Sequence, residues 1–168
     1  MKPTKPHESQ RGYFAWYLYD LMVQNKDIVL ITCDLGFKQF DAIRDDFPDR
    51  FFNVGASEQA GMDIAVGLAL SNKIPFIYSI TPFLLWRTAE SIRIYLNHES
   101  IPVKMVGAGR DHDYEKDGFT HDAKDALDLL AMFKNIVSFW PQEKEGIKFS
   151  LEEMVGNSKP CFLSLKRK

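Results

Sequence analysis

Short, almost unbroken apolar runs recur down the whole chain, and each is followed by a segment of helical periodicity. DIVLITCD, IPFIYSI, PVKMVGAG and PCFLSL are rich in β-branched residues and bounded by aspartate, proline or glycine. A strand apolar on both faces is covered on both faces, and strands that alternate with helices pair in parallel. The pattern therefore predicts an α/β fold, a doubly wound, mainly parallel sheet with helices on both faces. RFFNV and NIVSFW are two further strand candidates. Helices are expected over residues 8–24, 40–46, 57–71, 83–99, 123–133 and 143–156.

A chain of 168 residues suits one domain, residues 1–168. Its first ten residues, MKPTKPHESQ, are polar, carry two prolines and are expected to form a flexible arm rather than a signal peptide. The net charge of −2 asks for neither nucleic acid nor an acidic membrane as partner. No apolar run is long enough to span a bilayer. Cys33 and Cys161 lie in strand-like runs without metal-ligand spacing, and read as buried free thiols of a cytoplasmic protein.

In open parallel sheets, ligands bind beyond the carboxyl ends of the strands. Three stretches fall there. The first is Gly55-Ala56-Ser57-Glu58, where glycine permits a turn, Ser57 is placed to cap the next helix, and Glu58 enters its first turn. A glutamate there complements the helix dipole. The helix that follows, however, is apolar nearly all round, so this carboxylate is expected to be desolvated and to need a partner. The second stretch, SITPFLLWRTAESIR, places Phe83, Leu84 and Trp86 either in the core or at a pocket. The third, AGRDHDYEKDGFTHD, has histidines and acids but no ladder of metal ligands, and reads by composition as a polar loop.

FPDRFFNVGASEQAGMDIAVGLAL, then IPF, then DGFTH together resemble the pyrimidine-binding domain of the transketolase family of thiamine diphosphate enzymes. The family reads FPDRFFNVGIAEQ, a Gly/Ala-rich helix, IPF and a GEDGPTHQ-like loop, in that order. The likeness runs from about residue 34 to about residue 141. It implies that Glu58 is the catalytic glutamate, bonded to the ring nitrogen of the coenzyme's aminopyrimidine and favouring the tautomer that takes a proton from the thiazolium. It also implies that Phe83, with Thr81, contacts the pyrimidine, and that Asp117 and His121 bind substrate hydroxyls and shuttle protons. Arg110 stands in the loop that helps hold the substrate's phosphorylated end, where this sequence departs from the family. Arg167 is either a match to a phosphate-binding arginine or part of a plain tail. Phe119 replaces the family's proline.

The family's diphosphate site carries a GDG motif, and no GDG occurs here. The resemblance thus implies one half of a split transketolase-like transferase. A separate partner chain would hold Mg2+ or Ca2+ and the diphosphate, with the Gly/Ala-rich helix packed between chains in a homodimer or hetero-oligomer. The expected reaction moves a two-carbon ketol unit between sugars or related carbonyl compounds. The alternatives are a subunit of a 2-oxo acid decarboxylase or carboligase, and a non-catalytic regulatory or scaffold homologue.

Overall fold

In the computed structural model, which describes residues 2–167, the apolar runs form one six-stranded parallel sheet. The strands are β1 (Ile28–Thr32), β2 (Phe51–Asn53), β3 (Ile74–Ile80), β4 (Lys104–Ala108), β5 (Val137–Phe139) and β6 (Cys161–Leu165), in the order β2-β1-β3-β4-β6-β5. Register aligns Thr32, Tyr78, Val106 and Leu163 across the four central strands. The order reverses between β1 and β3, which opens a crevice at their carboxyl ends.

Successive side chains of a strand point to opposite faces. Leu30, Phe76, Tyr78, Val106 and Leu163 pack with α1 (Gln10–Gln24), α2 (Asp41–Asp46) and α7 (Lys144–Gly156). Ile31, Ile77, Met105 and Phe162 pack with α3 (Glu58–Leu70), α4 (Thr81–Arg87) and α6 (Ala126–Ala131). Both faces are buried, as doubly wound strands require. On the first face Phe14 stacks on Tyr78 with ring centroids 5.8 Å apart, and Phe40 meets Tyr78 edge-on at 4.9 Å. Cys33 and Cys161 are buried free thiols.

Several boundaries differ from expectation for local reasons. Ser9 caps α1, its Oγ accepting from the Gly12 amide at 3.1 Å, so that helix begins at Gln10. The arm before it lies along α1. There Lys2 pairs with Asp20 at 2.6 Å and stands 3.8 Å from the Trp16 ring centroid. The helix expected over residues 83–99 starts at Thr81 and breaks at Thr88, whose hydroxyl donates to the Leu84 carbonyl at 2.5 Å. It resumes as α5 (Ala89–Ser91) and widens into a π turn at Ile92–His98. α6 is shorter than expected, because Ala123 is held extended in a bridge to Asp111. α3 is not buried all round: Ala60, Ile64, Gly67 and Leu70 are exposed.

Candidate active site

Glu58 lies on the same stripe of α3 as Met62, Ala65, Val66 and Ala69, all buried. That stripe faces the sheet, so the first carboxylate of the helix is carried into the crevice between β1 and β3. The turn before it is built by Asn53 and Gly55. The Asn53 side-chain oxygen accepts from the Asp34 and Gly55 amides, each at 3.0 Å. Gly55 takes φ +69°, a conformation that side chains disfavour. Ser57 occupies the cap position but its hydroxyl makes no capping bond, contrary to the expectation from sequence.

Glu58 is 3% exposed. Each oxygen of its carboxylate has a partner. Oε1 accepts from Ser79 Oγ at 3.0 Å, and Oε2 accepts from Arg87 Nη1 at 2.7 Å. Ser79 comes from the carboxyl end of β3, on the face shared with Ile77, and Arg87 from the end of α4. Cys33 follows β1 beside this pair. Burial, with the Glu58 charge second, pushes its thiol up to about 12. It is therefore a neutral packing group, not a thiolate.

Arg87 also lies over Phe83, its guanidinium carbon 3.8 Å from the ring centroid. His121 meets Phe83 edge-on, with centroids 4.8 Å apart. Ser79, Glu58, Arg87, Phe83 and His121 thus form one continuous run of contacts. Beside it opens a cleft of about 240 Å³ whose lining includes Phe83, Trp86, Arg87, Phe119 and Asp122. Among the described residues, no three His, Cys, Asp or Glu side chains come together as a metal-binding group.

The structure therefore brings Glu58, Phe83 and His121 together, and it places the other expected site residues elsewhere. Thr81 is fully buried, and its hydroxyl donates to the Gly109 carbonyl at 2.6 Å, so it ties α4 to the end of β4. Arg110 is 5% exposed and turned inward. Its Nε donates to Ser164 Oγ at 3.0 Å and its Nη2 to the carbonyls of Pro141 and Ser164. Burial lowers its pKa from the ordinary arginine value. Arg110 holds β4 to β6 and does not line the cleft. Asp117 ends an exposed helical turn, Glu115–Asp117. Arg167 packs over the Tyr114 ring at 4.9 Å, and its amide donates to Asp113.

Two features were not foreseen from the sequence. Arg87 stands one helical turn beyond Phe83, the spacing at which helix side chains meet, and that signal was available. Asp122 is only 11% exposed and faces His112 at 3.0 Å. Nothing local distinguishes it from the neighbouring acids of its loop.

The family model described as "Transketolase, pyrimidine binding domain" matches residues 9–168. The chain is 28% identical over 123 residues to an apulose-4-phosphate transketolase subunit of Actinobacillus succinogenes, covering 73% of this chain and 40% of that protein. It is 23% identical to a 6-deoxy-6-sulfo-D-fructose transketolase subunit of Clostridium sp. (strain MSTE9), covering 89% and 48% respectively. Among solved structures, a split-gene transketolase described as an inactive beta4 tetramer superimposes with a TM-score of 0.84 at 26% identity. That match covers 95% of this chain and 52% of the other. The chain spans about half, or less, of the length of these relatives.

Proposed function

Because this chain belongs to the transketolase family, as its pyrimidine-binding domain, we propose that it is a subunit of a split thiamine diphosphate-dependent transferase. Its substrates would be sugars or related carbonyl compounds, between which a two-carbon ketol unit moves. The observation that carries this reading is the buried Glu58 carboxylate in the crevice between β1 and β3, with an aromatic ring close by through Arg87. The residues present fit an aminopyrimidine. They offer an acid in a dry setting to bond a ring nitrogen, and a flat apolar face to pack against the ring.

When bound, the coenzyme supplies the carbon that attacks a substrate carbonyl. Glu58 holds a proton at the ring nitrogen, and Ser79 fixes the carboxylate's orientation through Oε1. Phe83 would pack on the pyrimidine, and it holds His121 edge-on beside it. His121 takes or gives a proton at a substrate hydroxyl, with Asp117 reaching the substrate from its exposed turn. With Arg110 turned inward, the substrate's far end meets the cleft without that guanidinium.

The diphosphate and its Mg2+ or Ca2+ belong, in this proposal, to a separate subunit. Support comes from relatives named as transketolase subunits and from the exposed Ala60, Ile64, Gly67 and Leu70 face of α3, a surface for another chain. A second reading, a 2-oxo acid decarboxylase or carboligase subunit, is favoured by one observation: Phe83, Trp86 and Phe119 give the cleft an apolar wall.

Gentle purification with thiamine diphosphate and magnesium, followed by mass spectrometry, tests the subunit assignment. A stoichiometric partner bearing a GDG motif is expected. In the reconstituted assembly, Glu58→Gln is expected to lower kcat by about 10²–10⁴-fold, the usual worth of a positioned acid, with the fold retained. Activity that survives the substitution overturns the catalytic role and leaves the scaffold reading.

A further inference from the structure

Arg87 occupies both groups that the proposed coenzyme ring needs. One guanidinium nitrogen is 2.7 Å from Glu58 Oε2, and the guanidinium carbon stands 3.8 Å from the Phe83 ring centroid. A planar cation on an aromatic face and against a carboxylate has the shape and contacts of an aminopyrimidine in the same place. The ring and the guanidinium cannot both hold that oxygen and that face.

The two partners of Glu58 differ in how readily they can leave. Ser79 is fully buried on β3, so its bond to Oε1 is fixed by the sheet. The Arg87 side chain is 46% exposed, whereas that of Glu58 is 2% exposed. Arg87 can therefore swing into water at little cost, while Glu58 cannot follow. With Ser79 alone, the buried carboxylate would lose its cation and leave Oε2 unpaired, which is costly, so the guanidinium would leave only as a replacement arrives. Asp122 and Asp125 line the same cleft and offer Arg87 a carboxylate to move toward.

We infer that Arg87 is a displaceable stand-in for the coenzyme's aminopyrimidine. It keeps Glu58 and Phe83 in place in the chain by itself, and coenzyme binding exchanges it for the ring. This inference rests on the proposed role of Glu58. It makes Arg87 a positioning residue that competes with the coenzyme.

The test compares wild type, Arg87→Ala and Arg87→Lys by two measurements. One is thermal melting of the chain by itself. The other is a fluorescence titration of the assembly with its partner subunit, using thiamine diphosphate and Mg2+. Arg87→Ala is expected to lower the melting temperature and to tighten coenzyme binding about fivefold to tenfold, because the competitor is gone. Arg87→Lys, a point charge without the planar fork, falls between. The melting effect of Arg87→Ala is expected to shrink in a Glu58→Gln background. Coenzyme binding that is unchanged or weaker in Arg87→Ala overturns the inference, and a loss of melting temperature alone marks Arg87 as merely structural. If Arg87→Ala does not fold, equal affinities for wild type and Arg87→Lys overturn it. Wild-type assembly that binds no coenzyme overturns the functional reading as well, which separates the two failures.

Discussion

At the scale of single residues, burial decides which groups can do chemistry. Cys33 sits beside Glu58 yet is held neutral, because its thiol is pushed from 9.0 up to about 12 by burial. Two outcomes are expected. Cys33 resists alkylation in the native protein at pH 8, and reacts once the chain is unfolded. Between pH 9 and 12, unfolded chains release this proton and folded ones keep it. Stability from this group is thus complete below pH 9 and falls as pH rises toward 12. Denaturant melts across that range check the sign, after correction by a Cys33→Ala variant. The burial of Glu58 was legible because a carboxylate began an apolar helix, whereas the roles proposed for Phe83 and His121 rest on the order of the motifs alone. The inward turn of Thr81 and Arg110 was not legible, because a polar residue at a strand end can face the crevice or the backbone. The Gly109, Ser164 and Pro141 carbonyls that hold them inward are distant in sequence.

At the scale of elements, α4 packs closely against β4 at Gly107. A Cβ at Gly107 would stand 2.5 Å from Thr81 Oγ1 and 2.8 Å from the Phe162 ring. Gly107→Ala is expected to cost about 1–3 kcal/mol, the usual range for overpacking. It should also shift Phe83, which follows Thr81 in α4. Thermal melting measures the first effect, and coenzyme affinity measures the second. An unchanged melting temperature would contradict the packing argument. Strand positions were readable from unbroken apolar runs, and β3 matches IPFIYSI residue for residue. The break at Thr88 was not readable. A threonine hydroxyl bonding one turn back interrupts a helix in some settings and only bends it in others, and the tertiary contacts of α5 decide which.

At the scale of the whole molecule, the parallel sheet and the two-sided core followed from strand–helix alternation, while the strand order β2-β1-β3-β4-β6-β5 did not. A surface for another chain was less legible, because the apolar residues of the exposed face of α3, Ala60, Ile64, Gly67 and Leu70, read in sequence like those of its buried face. Ile64→Arg is expected to prevent assembly with the proposed partner subunit, as read by native mass spectrometry. It should leave the melting of the chain by itself within about 0.5 kcal/mol, as for most surface changes. Assembly that tolerates the charge would move the interface off this helix. The sheet's margins point the same way. β2 and β5, its outermost strands, are three residues long each. So short a border gives a foreign strand almost no ladder to extend. The molecule is poorly suited to growing edge to edge into fibrils, and its faces and loops are left as the surfaces for lasting contact.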